Sequence, residues 1–231
     1  MPAYRYEIVQ RLWRGCEPFS GAVTHERVDH QGWASENILL KRAIDEKRPR
    51  LVAEVGVWKG GSVITFADRL RAYNLDSAVI AVDTWLGSSE HWLTPDWHDS
   101  LRVTGGYPTL YDTFAANVAD KGLRDYVVPL PLDSLNAAKV FEHHGLRPEV
   151  MHIDGGHDYE SVMADLRAWW PLVADGGVLI GDDYHPDGEV WPEVAAAFHD
   201  FFKVKAIAVE VAGKCWIDKA LRVPPEAHPS A

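Results

Sequence analysis

The stretch Leu51-Val-Ala-Glu54-Val-Gly56-Val-Trp58-Lys59-Gly60-Gly61-Ser62 decides the fold. It opens as a short apolar run, breaks at a glycine-rich turn and continues as a helical pattern over residues 62–73. Strand, tight turn and helix in that order begin a βαβ unit. The next apolar run, Ala78-Val-Ile-Ala-Val-Asp83, is hydrophobic at every position before its terminal Asp, as strands are when helices cover both faces of a parallel sheet. The alternation continues. Further strands are expected at 126–130, 149–154 and 177–183, with helices at 109–121, 134–144, 159–172 and 191–202. Two last strands, 204–211 and 214–218, are joined only by Ala212-Gly213 and should pair antiparallel. The expectation is an α/β chain, a doubly wound and mostly parallel sheet with one antiparallel strand.

Outside this frame, residues 1–50 read as a helical preface, with amphipathic stretches near 6–14 and 34–47, the second ended by Pro49. The polar loop between them, 17–32, carries His25 and His30, which read first as surface histidines. Residues 84–108 form an insert rich in Trp and turn residues, and 224–231 read as a frayed tail. One domain over 1–223 accounts for the pattern, since 231 residues lie within the size of a single α/β unit. The net charge of −11 argues against nucleic acid or an anionic membrane as partner, because both need a basic face. No apolar run approaches the ~20 residues that span a bilayer, and the first residues lack the apolar centre of a secretory signal. Cys16 and Cys215 are too few for a disulfide framework or a cysteine zinc site. A cytoplasmic, reduced protein is expected.

Ligands of open α/β sheets bind beyond the carboxyl ends of the strands, so the glycine turn is the first place to look. A phosphate loop fails there, because Lys59 precedes Gly60 and Gly61 instead of following them. A dinucleotide loop fails because Trp58 stands where a second glycine would admit a pyrophosphate. What remains is E-x-G-x-x-x-G from Glu54 to Gly60, with Asp83 ending the next strand, where a carboxylate can accept from ribose hydroxyls. Asp133-Ser134 follows the third strand, where an adenine edge would lie. A glycine-rich turn with an incidental aspartate is the plainer alternative. The set resembles the class I S-adenosylmethionine-dependent methyltransferases. That resemblance implies a seven-stranded Rossmann-like sheet in the order 3-2-1-4-5-7-6 with the last strand antiparallel. It further implies S-adenosyl-L-methionine as cofactor. Glu54, Gly56, Trp58, Gly60, Gly61 and Ser62 would cup its amino-acid end, Asp83 would hold its ribose, Trp85, Asp133 and Ser134 would meet its adenine, and Thr84 and Asp154 would also line the cofactor.

The fourth strand ends Met151-His152-Ile153-Asp154-Gly-Gly-His157-Asp158-Tyr159, and the fifth ends Leu179-Ile-Gly-Asp182-Asp183-Tyr184. In the strand order of that family the two are neighbours, ~4.8 Å apart, so Asp154, Asp182 and Asp183 converge. Three carboxylates together repel and raise at least one pKa. A divalent ion removes the conflict, and all-oxygen ligation points to Mg²⁺ or Mn²⁺ rather than zinc. Such an ion makes a hydroxyl easier to deprotonate, and His157, three residues past Asp154, is placed as general base. An aspartate pair that merely caps a helix and a solvated loop histidine are the plainer alternatives. His152, inside the strand, reads as structural. These two blocks look like the metal-dependent sugar O-methyltransferases of macrolide biosynthesis, the macrocin and mycinamicin type. That likeness spans roughly 50–185 and implies Asp154, Asp182 and Asp183 as metal ligands and His157 as base. It departs in one respect, since some relatives carry Glu-Asp where this chain has Asp-Asp.

The insert carries Trp85, Trp92, Trp97, His91, His98 and Tyr107, with Gly105-Gly106 as a hinge. Connections longer than ~12–15 residues often act as lids or binding loops. Aromatic faces suit sugar rings or flat aglycones, although a satellite cluster covering the sheet edge reads equally well, and exposed Trp would fit a homo-oligomer. Asp187, Glu189 and Glu193 read as a solvated helix start. The expected activity is Mg²⁺-dependent O-methylation of a small hydroxylated acceptor, such as a natural-product sugar or glycan. A cephalosporin-hydroxylase-like enzyme, a metal-independent methyltransferase and an S-adenosylmethionine-binding module with an inactive site are the rival readings.

Overall fold

The structure is a computed structural model that describes residues 1–21, 27–203 and 209–220. Its centre is a seven-stranded sheet in the order β3-β2-β1-β4-β5-β7-β6, formed by β1 (Leu51–Val55), β2 (Ala78–Val82), β3 (Val127–Leu130), β4 (Val150–Ile153), β5 (Val178–Gly181), β6 (Val209–Val211) and β7 (Lys214–Asp218). The first five strands pair parallel; β7 is antiparallel to both β5 and β6. The expected order and the single reversed strand are therefore both present. Of the expected strand 204–211 only Val209–Val211 is described, while residues 204–208, the tail 224–231 and His25 lie outside the described residues.

Strand side chains alternate between two packed layers. Leu51, Ala53 and Val55 face a core built with Ile8, Phe141, Leu166, Trp169 and Phe198, while Val52 faces one with Leu40, Ile44, Phe66 and Phe114. The first layer is supplied by helices α1 (Ala3–Trp13), α7 (Ser134–His144), α8 (Tyr159–Trp169) and α9 (Pro192–Phe202). The second comes from α2 (Ile38–Lys47), α3 (Gly61–Ala72) and α6 (Leu110–Asp120). Helix α2 begins four residues later than the pattern over 34–47 suggests. Asn37 stands in its way: the side chain caps the helix by accepting from the Leu39 N–H at 2.8 Å. The insert carries two short helices, α4 (Ser89–Leu93) and α5 (Pro95–Ser100), nucleated by a Ser88–His91 capping box and by Pro95 in the first turn. Among the described residues no helix is long and apolar enough to cross a membrane.

Register puts the chemistry at one end of the sheet. Glu54 pairs with His152, Val55 with Ile153, and Ile153 with Gly181, so the chain leaves β1, β4 and β5 side by side. The Asp154 N–H donates to Val55 O at 2.8 Å and the Asp182 N–H to Ile153 O at 2.9 Å, which carries the alignment one residue past the strands. Gly56 makes this possible. Its φ is +80°, and a Cβ there would stand 1.7 Å from the Asp154 carbonyl oxygen.

Candidate active site

The glycine turn is held from two sides. Asp83 accepts from the Val57 and Trp58 N–H groups through Oδ2, at 2.7 and 2.9 Å, and from the Trp85 N–H through Oδ1 at 2.7 Å. The carboxylate expected at a ribose thus also staples the turn to the end of β2. Behind it, Lys59 is buried and donates to Asp29 Oδ2 at 2.7 Å and Gln31 Oε1 at 3.0 Å. Gly60, at φ +89°, starts α3, whose first-turn Ser62 hydroxyl donates to Glu54 Oε1 in a short contact. Glu54 is fully buried, and its other oxygen has no hydrogen-bond partner.

Beyond Glu54 the charges form a row. His152 is also fully buried, with Nδ1 3.4 Å from Glu54 Oε2 and Nε2 3.5 Å from Asp182 Oδ2. The expectation of a structural histidine misses this bridge between the glycine turn and the acidic corner. Asp182 Oδ2 also meets the ammonium of Lys214, a fully buried residue of β7 that opposes it in a very short ion pair. Burial alone would raise the Asp182 carboxyl, but the neighbouring His152 ring and the bonded ammonium of Lys214 hold it well below the usual range. His152 is held above its ordinary value: burial and Lys214 oppose this, and the carboxylates of Asp182 and Glu54 beside its two ring nitrogens prevail. Asp154 behaves oppositely. Burial first, then the negative charges of Asp182, Asp183 and Glu54, push it well up, with Lys214 opposing.

Asp154, Asp182 and Asp183 each place one carboxylate oxygen within 4.8 Å of the others. This donor set fits a hard divalent cation. It is all oxygen, and burial together with the neighbouring negative charges pushes the Asp154 carboxyl toward its protonated form, a conflict that a bound cation would relieve. The shallow cleft there is lined by Ile153, Gly155, Gly156, His157 and Phe198 together with the three aspartates. His157 is held on three sides. Its Nε2 lies 3.0 Å from Asp183 Oδ2, its Nδ1 lies 3.0 Å from Glu90 Oε2 on α4, and Trp191 stacks on the ring at 4.1 Å. Burial would lower its pKa, but Asp183 and Glu90 hold it raised. The insert therefore reaches the acidic corner.

Other expected residues take different places. Trp85 is only 2 % exposed and packs on Tyr111 and Phe114 at 5.0 and 4.8 Å, so its ring faces the core under the turn and not an adenine. The backbone explains this correction: Trp85 has a positive φ of 54°, and its indole N–H donates to Trp58 O at 3.1 Å. Thr84 is exposed beside it. Asp133 caps α7, accepting from the Asn136 N–H at 3.0 Å, while the Ser134 hydroxyl turns inward to Asp165 Oδ1 at 2.5 Å. His30 pairs with Asp120 at 2.8 Å. Near the turn, Trp58, Trp33, Trp97 and His91 form a cluster with ring separations of 4.4–6.4 Å. Burial among these rings lowers the His91 pKa. Glu90, Lys214 and Trp191 escape a reading of the sequence because each lies more than 30 residues from its partner at the corner. A lysine opening the otherwise apolar run Lys214-Cys-Trp-Ile was the one available hint.

Comparisons with known proteins bear on this geometry. Residues 53–184 match a family model described as a methyltransferase domain. An uncharacterized protein of Sinorhizobium fredii, y4gI, is 25% identical over 173 residues, covering 72% of this chain; the chain spans 17% of the length of that curated relative. The O-methyltransferase NovP is similar in structure, with a TM-score of 0.59 and 19% identity over 94% of this chain and 98% of its own. The apo structure of CalS11, a TDP-rhamnose 3'-O-methyltransferase of calicheamicin biosynthesis, gives 0.53 at 19% identity over 80% and 77%. At these identities the solved structures share the fold.

Proposed function

The chain belongs to this methyltransferase-domain family, and on that premise we propose that it transfers the methyl group of S-adenosylmethionine to a hydroxyl of a small molecule, with Mg²⁺ held at the acidic corner. One observation carries the reading: the glycine turn after β1 opens onto the same end of the sheet as Asp154, Asp182, Asp183 and His157. Glu54 and the Gly56–Ser62 turn hold the methionine end of the cofactor, Asp83 and Thr84 its ribose, and Asp133 the adenine edge. Asp154, Asp182 and Asp183 hold the ion. When bound, the sulfonium supplies an electrophilic methyl carbon and the cation lowers the pKa of a hydroxyl. His157 would take the hydroxyl proton, leaving the oxygen an electron pair for the methyl carbon that the cofactor would supply, with S-adenosylhomocysteine as the leaving product. Glu90 and Trp191 keep the imidazole in place during that transfer. The exposed rings of the insert favour a sugar or flat acceptor, a class to which the substrate in the name of CalS11 belongs.

Calorimetry with S-adenosylmethionine, with and without Mg²⁺, tests the reading. One-to-one binding is expected. The chain should then label a hydroxylated acceptor from a sugar panel, and His157→Ala should lower that turnover ~100-fold or more with cofactor affinity kept. No cofactor binding at all would remove the proposal.

A further inference from the structure

We propose that Lys214 is a resident counter-cation of the acidic corner: its ammonium keeps the corner folded when no divalent ion is bound and weakens the corner's hold on one. The inference rests on the reading of Asp154, Asp182 and Asp183 as ion ligands. Lysine is almost never fully buried unless paired, and a lysine at a strand end normally extends its charge to water. Lys214 does neither of these ordinary things, since it is 0 % exposed and its charge lies on Asp182. The placement is built by the backbone. Cys215 pairs with Gly181 across β5 and β7, and the Tyr184 N–H donates to Gly213 O at 2.8 Å, which pins the hairpin turn beside Asp182. The Asp182 carboxylate is then shared, with Oδ2 facing Lys214 and His152 while Oδ1 accepts from the Asp183 N–H at 2.9 Å. An ion seated on the three aspartates shares Asp182 with that ammonium, and the two positive charges repel across a half-buried site of low effective dielectric.

The test needs no acceptor. Mn²⁺ is titrated into the full chain and followed by the electron paramagnetic resonance of the free ion and by calorimetry. Wild type is compared with Lys214→Gln, which keeps a donor toward Asp182 but not the charge, and with Lys214→Arg, which keeps the charge. Lys214→Gln should bind Mn²⁺ at least about tenfold more tightly than wild type, and Lys214→Arg should resemble wild type. Thermal melts of Lys214→Gln and Lys214→Met should show a lower Tm without Mn²⁺ and a larger rise on adding it than wild type shows. Equal affinity and equal rises in wild type and Lys214→Gln overturn the inference while leaving the metal reading intact. Uptake of Mn²⁺ by neither overturns both. Failure of both neutral variants to fold even in saturating Mn²⁺ also overturns it, since the ion is then unable to replace the ammonium.

Discussion

Asp165 illustrates how one buried side chain sets a pH dependence. It lies on α8 with 6 % exposure, accepts the Ser134 hydroxyl, and its Oδ2 would be 2.9 Å from a Cβ on Gly155. Burial, aided by the charges of Asp133 and Asp158 and opposed by the Ser134 bond, raises its pKa from 3.8 to about 6. The folded chain thus prefers the protonated acid. That contribution is fully present below about pH 4, is lost as the pH rises through about 6, and amounts to about 3 kcal/mol. Asp165→Asn keeps an acceptor for Ser134 and cannot ionise. Urea denaturation from pH 4.5 to 8 should show the variant gaining on wild type by about 2–3 kcal/mol across that range; any fixed cost of the amide cancels from the slope. A difference that stays flat with pH would contradict the assignment. The sequence conceals this residue, because nothing near position 165 announces that Ser134 lies against it. That His157 and Asp154 line one cleft was easier to expect for the opposite reason: three residues apart on one loop, they carry their proximity in the local order.

Elements were legible where periodicity and turn chemistry agree. The β1 turn, the apolar runs of β2 and β4, and the hairpin at Ala212-Gly213 all follow from local pattern. The start of α2 did not, since the Asn37 cap competes with a helical pattern that runs through it. The helices of the insert hide in a stretch dominated by turn residues, where a capping box only four residues long, Ser88 to His91, is easily overlooked. Trp85 was misplaced because the expectation followed its position after Asp83 and ignored the positive φ that turns its ring inward. Gly56 gives this scale its test. A side chain there meets both a left-handed backbone and the Asp154 carbonyl, which cannot move without dragging β4 and the acidic corner. Gly56→Ala should cost about 3 kcal/mol or more and abolish S-adenosylmethionine binding, read by thermal melt and calorimetry. Gly105 is the control: its φ is also positive, at +59°, but nothing lies within 4 Å of its missing Cβ. Gly105→Ala should cost only the ~1–2 kcal/mol of backbone strain and leave cofactor binding unchanged. Similar losses at both positions would mean that the turn's conformation alone, and not its contact with β4, is what matters.

At the scale of the molecule, the question is what the preface does for the sheet. The carbonyls of Tyr126 and Leu130 point from β3 to β2, accepting from Val79 and Asp83, so those of Val127 and Pro129 point to the open edge. Both are capped from α1: Arg5 Nε donates to Val127 O at 3.3 Å and Trp13 Nε1 to Pro129 O at 3.0 Å. An unpaired edge is a template for pairing with another chain, and here a helix more than a hundred residues away in sequence closes it. Arg5 is itself fixed by a fork onto Glu17 at 2.5 and 2.6 Å, while Ile8 and Val9 bury their side chains in the core beneath. Such long-range pairing is why the sequence yields two amphipathic helices but not their purpose. If the preface and the sheet are one folding unit, removing residues 1–16 exposes Ile8-side core surface worth ~1.5–3 kcal/mol for each large apolar side chain uncovered. It also frees two edge carbonyls. The truncated chain should melt more than about 10 °C lower and associate at concentrations where the full chain does not, as light scattering would show. Arg5→Met, which keeps the helix and its apolar face but removes the cap on Val127 and the fork onto Glu17, should reproduce part of the loss in Tm. An unchanged Tm for the truncated chain would separate the preface from the folding unit.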